Sequence, residues 1–104
     1  MIVAKTKWQR FRGLMFRKTI IPIVFPFEKE SRLMCSIHSF FVFKIFKAIF
    51  VNEKWEVVDE KIVRPFSAVI PKEPCKYVIE VPLEWDRERA VAEAKKALTS
   101  LKNE

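Results

Sequence analysis

The chain has 104 residues, half of them hydrophobic, with ten Phe, three Trp and a formal charge of +7. That length supports one domain burying about two thirds of the surface its unfolded chain exposes, and the apolar content excludes a disordered tail. A single glycine excludes a glycine-rich phosphate loop.

Met1 to Ala4 fit a short strand. Thr6 is placed to cap a helical turn in which Trp8, Phe11 and Leu14 recur at i, i+3 and i+6, the spacing of a core-facing stripe. Gly13, the only glycine, is expected at a positive φ or at a close approach to a neighbouring element. Pro22 and Pro26 bracket Ile23, Val24 and Phe25, which leaves a short extended piece or an edge strand.

The run SIHSFFVFKIFKAIFV, positions 36 to 51, is the most apolar in the chain. A membrane span is excluded because Lys44 and Lys47, near the middle of the stretch, would each cost about 3 kcal/mol. As a helix it would be ringed with Phe and built of poor helix formers. As strands over Met34 to Ser39 and Ile45 to Val51 it suits a pleated, half-buried surface. Asn52-Glu53-Lys54 then forms a hairpin loop into WEVVDEKIV, and Lys47 points to solvent, opposite Phe46 and Ala48.

Pro65 ends that strand, and FSAVIPKEP is a proline-punctuated connection. CKYVIEVPL, 75 to 83, reads as another strand, with Tyr77, Ile79 and Val81 on one face and Lys76, Val78 and Glu80 on the other, mostly polar, face. From Asp86, an N-cap, the pattern becomes helical, with Val91, Ala94, Leu98 and Leu101 at spacings of three and four. The expected architecture is a β-rich domain over 1–84 and a C-terminal helix over 85–104 packed on the same domain.

The segment RFRGLMFR, 10 to 17, resembles the small proteins of the domain of unknown function 192 family, in which R-x-x-G-L-M-x-R follows a short first strand. The resemblance continues through IVFPF, SIHSFFVF, IFVNEKWEVVDE, RPF at 64 to 66 and KYVIEVP, and covers roughly positions 2 to 82. It implies a single mainly β domain, a β-barrel or a jelly-roll-like sandwich, and little about activity, since the family is named for its lack of a known function. Ile45-Phe46-Lys47 replaces the Pro-hydrophobic-Asp of relatives, and the family's usual glycine after the last strand is missing.

Cys35 and His38 form a C-x-x-H to which Cys75 would add a third zinc ligand, but a structural zinc needs four, and positions 35 and 38 face opposite sides of a strand. No metal and no cofactor is expected. The carboxylates of EKWEVVDE read as a solvated face, and Cys with His38 lacks any sequence evidence of a meeting, so the sequence weighs against an enzyme. The expectation is a non-catalytic module for a protein or small-molecule ligand, with Arg10 and Arg17 of the resemblance segment and His38 as candidate ligand-binding residues.

Charge supplies the alternative. Residues 1 to 50 carry ten Lys/Arg against two Glu, +8, while the rest of the chain is close to neutral. Lys7, Trp8, Arg12 and Lys18 interleave cations with an aromatic, the scheme of single-stranded nucleic-acid binding. One Gln, two Asn and abundant Lys, Glu, Ile and Val make a thermophile-like composition. The N-terminus has no uninterrupted apolar export segment, so the expected setting is cytoplasmic, with no membrane partner.

Overall fold

The β-branched and aromatic runs pair into one sheet. In the computed structural model, which describes residues 1–102 apart from the side chains of Lys7 and Lys102, that sheet comprises β1 (Ile2–Val3), β2 (Ile23–Ser31), β4 (Phe46–Val51), β5 (Val57–Val63) and β7 (Cys75–Val81). The strand order is β1-β2-β7-β4-β5. Two short strands, β3 (Ile37–His38) and β6 (Ala68–Val69), make a separate antiparallel pair. The helices are α1 (Lys7–Arg12) and α2 (Arg87–Lys102).

The central strand is β7, antiparallel to both β2 and β4, so Glu80 lies opposite Ile23 on one side and Ala48 on the other. Each face of the sheet is covered. On one, Val24, Ile49, Ile79 and Val81 pack with Ala90 and Ala94 of α2, whose small side chains allow a close helix-to-sheet approach. On the other, Ile23, Phe25, Phe46, Ala48, Phe50 and Val78 pack with Leu14 and Met15, just beyond α1, and with Val42. Each buried Val, Ile or Phe contributes about 1.5–3 kcal/mol relative to exposure.

Local signals at both helix starts act as their chemistry dictates. The Thr6 hydroxyl accepts from Gln9 N–H while the Gln9 side chain accepts from Thr6 N–H, a capping box that stops the chain fraying at α1. Asp86 Oδ1 accepts from Arg89 N–H at the start of α2. The helix expected to run to 104 is described to Lys102; positions 103 and 104 lie outside the described residues.

The expected mainly β fold with a C-terminal helix is present, while barrel or jelly-roll closure is not among the described pairings, since β1 and β5 end an open sheet. Several other expectations are corrected. The piece between Pro22 and Pro26 is instead part of a nine-residue strand. Pro26 lies past the two residues covered by β1, where one side of β2 is open, the setting in which a strand tolerates proline. The strand expected over Met34 to Ser39 shrinks to Ile37–His38, because the chain turns at Ser39. The buried Ser39 hydroxyl accepts from Ser67 N–H and donates to the Arg64 carbonyl.

Lys47 is half-buried, and its ammonium donates to the carbonyl of Trp85 instead of reaching open solvent. Trp8 and Phe11 are exposed, and of the expected stripe only Leu14 is buried. A six-residue helix at the margin of the sheet has only its end seated on the core. The face of β7 read as polar is buried too, with Val78 at 0% exposure and Glu80 at 5%. Among the described residues no helix is long and apolar enough to cross a membrane.

Candidate functional site

Glu80 is the one acidic side chain among the buried residues of the described chain. It projects from the end of the central strand, one residue before Val81, toward the pocket that Leu14, Phe25 and Phe46 also line, and the side chains of its cross-strand neighbours, Ile23 and Ala48, offer no hydrogen bond. Burial pushes its carboxyl up to about 8, so the acid is mostly protonated at neutral pH. A lone buried carboxyl of this kind is costly to keep in a packed core, and such groups concentrate at functional sites.

The carboxyl borders a pocket of about 300 Å³. Phe25, Phe27, Val42 and Phe46 form apolar walls, while Arg10, Arg12, Ser36 and His38 bring polar atoms to it. The basic side chains at the pocket and its margin come from three elements: Arg10 and Arg12 on α1, His38 on β3, and Lys61 on β5, which is in register with Ala48 and pairs with Asp59 at 3.5 Å. The flanking residues of β2 and β4 on this face are apolar.

Gly13 forms part of the wall. It closes α1 with φ +45° and ψ −118°, a conformation that L side chains resist, and its N–H donates to the Gln9 carbonyl at 2.9 Å. A Cβ at this position would stand 3.3 Å from the Phe25 ring. The expectation that the single glycine marks a constrained backbone position thus coincides with the pocket wall.

The three candidate ligand-binding residues separate. Arg10 lies at the pocket with its guanidinium 5.3 Å from the centroid of Phe27, and its buried Nε has no hydrogen-bond partner. His38 also lines the pocket, is exposed, and accepts from Phe40 N–H through Nδ1 at 3.3 Å. Arg17 does not line it: its Nε donates to the Gly13 carbonyl at 3.1 Å, which holds the turn in place. Arg17 thus braces the turn that closes α1, while Arg10 stands at the pocket.

Of the alternative set, Trp8, Arg12 and Lys18 are exposed, and the side chain of Lys7 lies outside the described residues. Trp8 stacks on Phe11 at 6.0 Å, Phe11 stands 6.4 Å from His38, and His38 stacks on Phe40 at 5.4 Å. This aromatic row passes the pocket, since Phe11 and His38 also line it. Cys35 is buried and His38 exposed, so the C-x-x-H residues do not converge; the Cys35 thiol instead donates to the Cys75 carbonyl at 3.0 Å.

Glu80 was not among the residues singled out from sequence. An isolated acid inside KYVIEVP was the available signal, but alternation assigns it to a solvated face unless both faces of the sheet are known to be covered.

The profile of the DUF192 family, described as uncharacterized ACR, matches residues 1–97, and the chain belongs to that family. It is 36% identical over 93 residues to a UPF0127 protein of Pyrococcus furiosus, covering 76% of this chain and 80% of the relative. It is 42% identical over 82 residues to a UPF0127 protein of Thermococcus sibiricus, covering 78% and 53%. Among solved structures, it resembles a candidate transcription regulator from Sinorhizobium meliloti with TM-score 0.69 and 20% identity, covering 77% of this chain and 65% of that one. A protein of unknown function from Novosphingobium aromaticivorans gives TM-score 0.66 at 18% identity, covering 77% and 60%. These structural likenesses show the fold alone. The chain spans about half the Thermococcus sibiricus relative and under two thirds of each solved chain.

Proposed function

We propose that this member of an uncharacterised family is a non-catalytic binding module whose ligand is a small molecule held in the pocket above Glu80. The observation that carries the reading is the pairing of an apolar pocket of about 300 Å³ with the carboxyl of Glu80, a residue only 5% exposed. Pockets for small ligands have this composition: mostly hydrophobic walls with a few convergent polar groups that fix orientation. Arg10 and His38 supply the further polar groups, and Arg17 supports the wall through Gly13.

Catalysis has less support, because the described pocket lining brings Glu80 no second carboxylate and the Ser36 hydroxyl is engaged in donating to the Leu33 carbonyl. A fragment screen by ¹H–¹⁵N correlation spectra tests the reading. Binding fragments are expected to move the amides of Gly13, Val42 and Phe46 together. A screen whose shifts scatter over the surface, or that finds no fragment, removes it.

The second reading, single-stranded nucleic-acid binding, gains from one observation: Trp8 is 68% exposed and stacked on an exposed Phe11, with Arg12 and Lys18 exposed nearby in the chain. Aromatics that lie open to solvent among cations are what base stacking requires.

A further inference from the structure

Two polar groups stand out at the pocket, the Arg10 Nε, buried without a hydrogen-bond partner, and the Glu80 carboxyl, and strand register sets them apart. Glu80 is level with Ile23 on β2. Its Oε1 reaches the Gly13 wall beside the Phe25 ring, whereas Arg10 stands over Phe27, two residues further along the same strand, about 7 Å at strand rise. Between them the walls are Phe25, Val42, Phe46 and Val78. A ligand with one polar end would leave either the carboxyl or the buried Arg10 Nε unsatisfied, and each such omission costs free energy.

The sign of the charge at each end follows from the surroundings. Arg10, Arg12 and His38 gather at the exposed side, without a carboxylate among the pocket residues there, and favour an anionic group. Arg10 can offer a planar fork to a carboxylate while its face remains on Phe27. Near Glu80 the flanking residues are Ile23 and Ala48, and Lys61, in register with Ala48, is already paired with Asp59, so an anionic ligand atom would find no free cation there among the described residues; a hydroxyl can exchange a hydrogen bond with the carboxyl in either protonation state, and a carbonyl oxygen can accept from its protonated form.

We propose that the pocket takes a compact organic anion with two polar ends, a carboxylate that pairs with Arg10 and a hydroxyl or carbonyl oxygen that hydrogen-bonds Glu80, joined by an apolar or aromatic body. The proposal rests on the small-ligand reading of the pocket. It assigns Arg10 the choice of charge and Glu80 the choice of the second oxygen.

Three probes of similar size separate these roles: 4-hydroxyphenylacetate, phenylacetate without the hydroxyl, and tyramine with the charge reversed. Titrated into the labelled full chain, 4-hydroxyphenylacetate should move the amides of Gly13, Val42 and Phe46. It should bind roughly two- to tenfold more tightly than phenylacetate, the worth of one hydrogen bond, with tyramine weakest. Arg10→Gln should erase the preference for acid over amine. Glu80→Leu should erase the preference for the hydroxyl while leaving acid over amine, and Glu80→Gln, which keeps a hydrogen-bonding end, should retain both preferences. Tightest binding by tyramine, or a hydroxyl preference that survives in Glu80→Leu, overturns the two-ended anion while leaving a ligand pocket in place. Silence from all three probes overturns the assignment as well, and the broader reading falls with it only if the fragment screen is also empty.

Discussion

The carboxyl of Glu80 lies beside the backbone of Gly13, its Oε1 3.8 Å from where a Cβ on residue 13 would stand, with the Phe25 ring closer still at 3.3 Å. A side chain at position 13 would therefore meet the pocket wall and a backbone conformation it resists, φ +45°. Gly13→Ala should cost about 1–3 kcal/mol, since both strain and crowding act together. Thermal denaturation should show a drop of several degrees in Tm. An unchanged Tm would mean that residue 13 does not adopt this conformation.

Glu80 should make the protein less stable as pH rises. Its carboxyl is raised to about 8 in the fold from an ordinary value of 4.5, so between these values the folded chain holds a proton that the unfolded chain has released. The associated stability is complete below about 4.5 and is lost as pH climbs through about 8, at up to roughly 1.4 kcal/mol per pH unit. Urea unfolding of wild type and Glu80→Gln at pH 5, 6.5 and 8 measures it. The variant should lose the part of the slope due to this residue. A slope identical in both proteins would show that Glu80 is solvated or paired in solution.

The two cysteines should be inert in the folded protein. Both are fully buried, and the Cys75 thiol is pushed well above its ordinary value by its hydrogen bond with Cys35 and then by burial, so little thiolate is available to react. Iodoacetamide followed by mass spectrometry should find both thiols unmodified until denaturant is added. Rapid alkylation of either under native conditions would contradict the buried placement. The same sample should carry no stoichiometric zinc, because Cys35 and His38 do not converge.

What could be read from residues alone was what short-range chemistry decides. The Thr6 and Asp86 caps, the helix after Asp86 and the strand within CKYVIEVPL follow from neighbours within a few positions. Gly13 was legible because one glycine in 104 residues marks a backbone demand. Glu80 was not, since the same alternation describes a half-solvated strand and a central strand covered on both faces; only the pairing of β7 with both β2 and β4 decides between them. Trp8 and Phe11 failed for the opposite reason: their spacing is that of a core stripe, yet α1 is too short to lay them on the sheet. The resemblance segment carried the two arginines, and geometry alone divided them into Arg10 at the pocket and Arg17 on the turn.

The exposure of Trp8 makes the nucleic-acid reading decidable. If the basic half binds single-stranded RNA, affinity should fall as salt rises, with a slope of about −0.7 per phosphate contact, because each contact releases a counterion. Arg12→Ala and Lys18→Ala, both at exposed positions, should each flatten that slope by about one contact without unfolding the protein. Trp8→Ala should cost roughly 1–3 kcal/mol of binding if a base stacks on it. Its effect on stability should stay within about 0.5 kcal/mol, as for most surface substitutions, because Trp8 is 68% exposed. Fluorescence titration with oligouridine at several salt concentrations reads both quantities, since Trp55 and Trp85 are less exposed and respond less to a ligand at α1. Binding without salt dependence, or full affinity in Trp8→Ala, would rule out this surface. The two readings then separate cleanly: Glu80→Leu should leave the RNA salt slope untouched, whereas Trp8→Ala should leave the hydroxyl preference at the pocket intact.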